Sequence, residues 1–181
     1  AYLSVIEAIK TAAVFHQHKA EILWVDSEKL ERRDAAAWKL LRSAQGSVVP
    51  GGFGLRGIEG KIAAAKYART SEVPYLGLCL GSQIMTLELA RAALKDPQFT
   101  SEEFDERGAI DPGKYVVHFL PGQSSGRSKG GTLRLGAFRC VLTPKSKAAA
   151  AYGTVEVLER HRHRYEFNNA LRSRLEAKGL M

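Results

Sequence analysis

Cysteine is nearly absent from this chain: only Cys79 and Cys140 occur, far apart and outside any metal-ligand spacing. That excludes a disulfide framework and a thiolate zinc site, and it points to a reducing, cytosolic setting. No apolar run approaches the length that spans a bilayer, so a membrane role is excluded and a soluble protein is expected. The first residues lack a basic segment, and Glu7 and Lys10 interrupt their apolar pattern, so they do not read as a signal peptide. An initiator Met is also missing and the chain starts inside a helical pattern, so the expectation is a piece of something longer. Nothing marks a linker or an internal repeat, and 181 residues fit one domain, which at this size buries about 70% of its unfolded surface. Acidic residues are outnumbered, 19 against 27 Lys and Arg, for a net charge of +8. Such an excess can mark a nucleic-acid protein, but the positive charges are spread along the chain, and no nucleic-acid partner is expected.

What is present centres on Val73-Pro74-Tyr75-Leu76-Gly77-Leu78-Cys79-Leu80-Gly81-Ser82-Gln83. A short apolar strand ends at a cysteine between two glycines, and a helical pattern begins at once with Ile84, Leu87, Leu89 and Ala90. Gly-x-Cys-x-Gly is the thiol form of the nucleophile elbow, in which small neighbours let the backbone turn sharply and present the reactive atom. A thiol there sits at a helix N-terminus, whose unpaired N–H groups and dipole favour thiolate. The competing reading of Cys79 is a buried core cysteine.

The remainder alternates helix and strand. Residues 2–15 place Leu3, Ile6, Ile9 and Ala13 on one helix face, and 20–25 read as a short strand before the turn and cap chemistry of Asp26-Ser27. Trp38, Leu40 and Leu41 return to the core. A strand at 46–50 runs into Gly51-Gly52-Phe53-Gly54-Leu55-Arg56-Gly57, whose four glycines leave main-chain N–H groups open to a negative oxygen. As a phosphate loop it would need a hydroxyl after the lysine, and Gly60-Lys61-Ile62 lacks one. An oxyanion loop needs only a well-aimed N–H, which suits a chain whose next strand ends in a thiol. A helix follows over 58–67. Asp96 to Asp105, acidic around an exposed Phe, reads as solvated surface, and 115–120 as a strand. Gly122 to Gly131 reads as a mobile loop, and Gly131 to Leu142 as one or two strands in which Cys140 only packs. In Glu159 to Phe167 a two-residue period puts Arg160, Arg162, Arg164 and Glu166 on one face and His161, His163, Tyr165 and Phe167 on the other, a guanidinium row suited to a carboxylate or phosphate. Asn168-Asn169 caps a last helix carrying Leu171 and Leu175.

Four segments together, Pro50 to Gly54, Gly77 to Gln83, Gly130 to Gly136 and Glu159 to Glu166, resemble the glutaminase domain of CTP synthase. The first two alone resemble class I glutamine amidotransferases in general. The resemblance runs from about Tyr2 to about Leu180 and implies an α/β fold of three layers, flavodoxin-like, with a central, mostly parallel sheet, here apparently truncated at both ends. It implies hydrolysis of L-glutamine to glutamate, with ammonia passed to an ATP-dependent synthase (amidoligase) domain that aminates UTP to CTP and forms homo-oligomers. No cofactor is implied in this domain: ATP, Mg and UTP would belong to the synthase domain. Carried over by position, Cys79 is the nucleophile, the N–H groups of Gly52 and Leu80 form the oxyanion hole, and Gly52, Leu80, Gly81, Ser82, Gln83, Glu103 and Arg164 hold glutamine. A free amino acid needs one anion and one cation at its site, and Glu103 and Arg164 supply them.

The sequence also departs from the family. Ammonia leaves only if a general acid protonates it, and the thioester then needs a base for water. The family uses a His-Pro-Glu segment for both tasks, and none precedes Met181. His163 and Glu166 would face opposite ways on a strand, Glu159 and His161 share a face but inside the substrate motif, and His16, His18 and His118 have no carboxylate at that spacing. The family's first strand is missing too, so poor stability of the isolated chain is expected. Ser82 stands where the family commonly has Met, a change expected to be tolerated. A non-catalytic glutamine-binding module and another thiol hydrolase are the alternatives, the latter disfavoured because Glu103 and Arg164 claim both ends of a free amino acid. If the catalytic reading holds, the gene encodes His-x-Glu roughly 40 residues past Met181; sequencing a stop codon directly after Met181 would remove it.

Overall fold

The computed structural model describes residues 2–120 and 134–180. They divide into two compact units, one of residues 1–117 and 167–181 and one of residues 118–166.

In the first unit α1 (Leu3–Phe15) forms where the periodicity predicts it. None of its residues is buried, however, and Phe15 is 80% exposed. Periodicity decides which side chains share a face; it does not supply the neighbour that covers them. The stretch 20–25 is not the expected strand. Its apolar residues instead serve packing, with Val25 against a small core of Leu30, Ala37, Leu41 and Ala64 and Trp24 facing the Tyr2 ring. Asp26 and Asp34 cap α2 (Ser27–Glu31) and α3 (Ala35–Ser43) by accepting from the N–H groups of Glu28 and Ala37.

Strands β1 (Ser47–Val49) and β2 (Tyr75–Gly77) pair in parallel, Ser47 opposite Tyr75 and Val49 opposite Gly77. Between them α4 (Ile58–Thr70) is the crossover that a parallel pair requires, and α5 (Leu80–Ala93) follows β2. Ile62, Ala65 and Ala68 of α4 are buried as expected, and Ile58, Ile62, Leu80, Ile84, Leu87 and Phe99 anchor the main core.

The segment 96–105 is a correction. Phe99, expected on the surface, is 2% exposed, and the next residues form β3 (Thr100–Ser101), parallel to β4 (Tyr115–Phe119). Polar neighbours had masked one fully buried ring, whose transfer from water is favourable by about 2–3 kcal/mol. The strand order is β3-β4-β7, with β7 spanning Tyr165–Phe167. Among the described residues the parallel pairings are β1 with β2 and β3 with β4. Asn168 ends β7 by accepting from Ala170 N–H and donating to the Tyr115 carbonyl at 2.8 Å, and α7 (Arg172–Glu176) buries Leu175.

The second unit contains an antiparallel pair, β5 (Arg134–Val141) and β6 (Glu156–His163), with α6 (Lys147–Tyr152) between them. Along β6 the arginines are exposed and the histidines partly covered, the alternation the sequence predicts. The chain bends at Arg164, so the arginine row is limited to Arg160 and Arg162. Glu166, expected on that row, accepts from Arg134 at 3.0 Å and lies 4.0 Å from His118. The expected loop from Gly122 to Gly131, and the first residues of the motif from Gly130 to Gly136, lie outside the described residues.

Helices α4 and α5 are tied by Arg69, which donates two hydrogen bonds, 2.7 and 2.8 Å, to the carboxylate of Glu88. Glu88 is buried while Arg69 is part exposed. Removing the arginine leaves a buried carboxylate without its cation, so Arg69→Met should lower stability by about 2 kcal/mol, below the range for a fully buried pair. Urea denaturation checks this.

Candidate active site

The elbow is built by three backbones at close quarters. A Cβ added at Gly77, the end of β2, would lie 2.5 Å from the Gly81 carbonyl, and one added at Gly81 would lie 1.9 Å from the Val49 carbonyl of β1. Neither position accepts even alanine without displacing backbone. Cys79, between them, takes φ 53 and ψ −109, a conformation that costs a non-glycine residue about 1–3 kcal/mol. The surroundings hold it there. Its carbonyl accepts from the N–H groups of Ser82 and Gln83 at 3.0 and 3.2 Å and from the Ser82 hydroxyl at 2.7 Å. Leu78 N–H donates to the Val49 carbonyl at 2.9 Å. From below, the Tyr75 hydroxyl donates to the Gly81 carbonyl at 3.0 Å, and burial pushes the Tyr75 phenol up from its ordinary value. The thiol is exposed, which rules out the buried core cysteine.

Across from the thiol lies the glycine loop. A Cβ on Gly51 would be 3.3 Å from Cys79 Cβ and 3.8 Å from its Sγ, so only a group of about methyl size would fit between the loop and the thiol. Gly52 packs against Leu80, its added Cβ 3.3 Å from Leu80 Cδ2. Leu80 opens α5, so its N–H has no intrahelical acceptor. Among the described residues neither the Gly52 nor the Leu80 N–H donates a hydrogen bond within the chain. Two open donors beside an exposed thiol are the arrangement that stabilises an oxyanion. The phosphate-loop alternative fares worse: Lys61 Nζ donates to the Arg56 carbonyl at 2.7 Å, and burial lowers its pKa.

Of the residues expected to hold glutamine, the structure brings Gly52, Leu80, Gly81, Ser82, Gln83 and Glu103 into the same unit as Cys79. Ser82 is turned to the elbow, its hydroxyl on the Cys79 carbonyl. Glu103, in a single 3-10 turn after β3, accepts from Gly54 N–H at 2.8 Å. Arg164 belongs to the second unit, at the bend after β6, where its carbonyl accepts from Leu120 N–H at 3.0 Å. Cys140, expected only to pack, has its Sγ 3.5 Å from His161 Nε2, and His161 in turn has its Nδ1 3.3 Å from that of His163. Burial lowers the His163 pKa, with the neighbouring His161 adding to it. His118, without a carboxylate at short sequence range, has Glu166 beside it. Sequence reasoning missed the Tyr75 hydrogen bond to the elbow and the one from Gly54 N–H to Glu103. Tyr75 shares the two-residue period of Gly77 and Cys79, but no local pattern says where its hydroxyl ends.

Fold and thiol site define the class of protein. The family model described as "Glutamine amidotransferase class-I" matches residues 1–180, and the chain belongs to that family, with the class I fold. Within it, the chain is of the CTP synthase glutaminase-domain type. It is 48% identical over 181 residues to the CTP synthase of Herpetosiphon aurantiacus and 49% identical over 183 residues to that of Carboxydothermus hydrogenoformans, covering 100% of this chain in each case. It spans about a third of the length of these curated relatives, 33% of each. The glutaminase domain of the Trypanosoma brucei CTP synthase, solved with bound acivicin, superimposes with a TM-score of 0.85 at 38% identity, covering 99% of this chain and 67% of that one.

Gly81→Ala puts a methyl group onto the Val49 carbonyl and should displace Cys79. We expect alkylation of Cys79 by an electrophilic glutamine analogue to slow at least about tenfold, since a misplacement near 1 Å costs more than that at a reacting centre. Mass spectrometry of the labelled cysteine measures it.

Proposed function

We propose that Cys79 hydrolyses L-glutamine and that the ammonia serves an ATP-dependent amidoligase portion of the same protein acting on UTP. The observation that carries this is the exposed Cys79 held at a strained elbow, with the N–H groups of its neighbour Leu80 and of Gly52 in the adjoining glycine loop donating no hydrogen bond among the described residues. The sulfur adds to the side-chain carboxamide carbon, and the former carbonyl oxygen takes the negative charge and accepts from the two N–H groups. The C–N bond then breaks as nitrogen takes up the proton given up by the thiol and leaves as ammonia. Water attacks the thioester, the C–S bond breaks, and glutamate departs with the proton returned to sulfur. Glu103 receives the α-ammonium and Arg164 the α-carboxylate, the pairing of charges that a free amino acid requires. No cofactor enters these steps; ATP, Mg and UTP belong to the amidoligase portion.

Replacing Cys79 with Ser should abolish ammonia release from glutamine, because the nucleophile that forms the thioester is gone. Arg164→Met should raise the glutamine KM about 10- to 100-fold, the worth of a charge-assisted hydrogen bond; an unchanged KM removes Arg164 from the site. Labelling of Cys79 by an electrophilic glutamine analogue with no ammonia release from glutamine would instead identify a binding module.

A further inference from the structure

The two walls of the thiol site are held very differently. Cys79 is fixed by three donors on its own carbonyl and by two glycine contacts. The glycine loop has almost nothing. The β1 ladder ends at Val49, Phe53 is 91% exposed and anchors no core, and Gly54 sits at φ +82 with open space around it. From Pro50 to Gly54, the one hydrogen bond among the described residues runs from Gly54 N–H to Glu103 Oε1, 2.8 Å, between residues 49 apart in sequence. Glu103 can hold this position because its own turn is capped, with Ser101 Oγ accepting from Glu103 N–H, and because Ser101 and Phe99 are buried.

We propose that Glu103 is a positioning residue for the oxyanion loop, holding Gly52 N–H in register with Cys79 through Gly54, in addition to receiving the ammonium of glutamine. This rests on the glutaminase reading, and it makes one carboxylate serve both substrate recognition and the geometry of attack. A carboxylate has about four lone-pair sites, so one carboxylate can accept from a backbone N–H and from an ammonium at the same time. A charged acceptor holds a backbone N–H more firmly than a neutral one, and an ammonium drawn to the same carboxylate adds a further tie beside the loop. Losing Glu103 therefore weakens binding of the amino acid and frees the loop that stabilises the transition state.

The test separates the two tasks with 5-oxopentanoate, an aldehyde shaped like glutamine but lacking the amino group. Its carbonyl carbon bonds to Cys79 Sγ, the C=O π bond breaks, and the thiol proton passes to the oxygen, which then lies between the Gly52 and Leu80 N–H groups. Binding of this probe reads the oxyanion wall without the ammonium. In the full-length protein, Glu103→Gln retains an acceptor for Gly54 while losing the charge, and Glu103→Met fills the space with neither. Glu103→Gln should raise the glutamine KM at least about tenfold yet weaken 5-oxopentanoate by no more than about threefold, whereas Glu103→Met should weaken 5-oxopentanoate at least about tenfold and lower kcat as well. Equal affinity of the Met and Gln variants for the aldehyde overturns the positioning role. A measurement on the unaltered protein covers a Met variant that fails to fold: the Gly54 amide proton should exchange at least about tenfold more slowly than an unprotected amide, and free exchange overturns the proposal. If the unaltered protein neither binds the aldehyde at Cys79 nor releases ammonia from glutamine, the glutaminase reading itself has failed.

Discussion

The contact on which this structure depends is the one among Gly77, Gly81 and the Val49 carbonyl. It brings the end of β2, the first turn of α5 and the end of β1 closer than any side chain allows. Once these backbones touch, the two residues between strand and helix, Leu78 and Cys79, have little choice of conformation, and Cys79 takes positive φ. A strain of about 1–3 kcal/mol persists only where neighbours over-determine it. The neighbours here include six hydrogen bonds around the elbow, two of them from side chains, Ser82 and Tyr75. At about 1 kcal/mol net each they exceed the strain. The same turn that strains the cysteine exposes that residue and leaves the Leu80 N–H without an intrahelical acceptor, so the accessible thiol and the open donor come from one structural cause.

The opposite wall follows another rule. Glycines at 51, 52 and 54 permit close approach to the thiol, but with Phe53 91% exposed no side chain of this loop reaches the core to pin it by packing. It must be held by its backbone, and the holding group is a side chain from beyond β3. A rigid thiol facing a loop with one tether is a natural place for substrate to act on the catalytic geometry, since whatever engages the tether also touches the loop.

Much of this was legible in the sequence because the signals are local. Two glycines about a cysteine before a helical pattern give the elbow, Asp26 marks a helix start, and alternation along 159–163 separates arginines from histidines. The failures share a cause. Residues 20–25 have strand composition, but a strand also needs an edge to pair with, which no local pattern supplies. Phe99 was hidden by its acidic neighbours, although one ring buried against α5 and α7 outweighs them. The arginine row was extended one residue too far because a bend at Arg164 leaves the period intact on paper and breaks it in space. Glu103 was legible as a charge and illegible as a tether, because its acceptor role joins residues 49 apart.

The chemistry divides along the same line as the structure. In the tetrahedral adduct a thiolate is a far better leaving group than an amide anion, so the adduct reverts to glutamine unless its nitrogen is protonated. In the proposed reaction, attack and charge stabilisation draw only on Cys79 and the N–H groups of Gly52 and Leu80, which belong to the elbow and the glycine loop. Forward collapse needs a proton donor, which the family resemblance assigns to His-x-Glu. Three described histidines have neighbours of their own: His118 has Glu166 4.0 Å away, His161 has Cys140 Sγ at 3.5 Å, and His163 lies beside His161 with its pKa lowered by burial. An electrophile that traps the thiol, or an aldehyde that adds to it, stops short of the step needing that donor. Both therefore read the architecture of this site separately from turnover, and a variant that loses turnover while keeping the adduct has lost its proton relay and not its elbow.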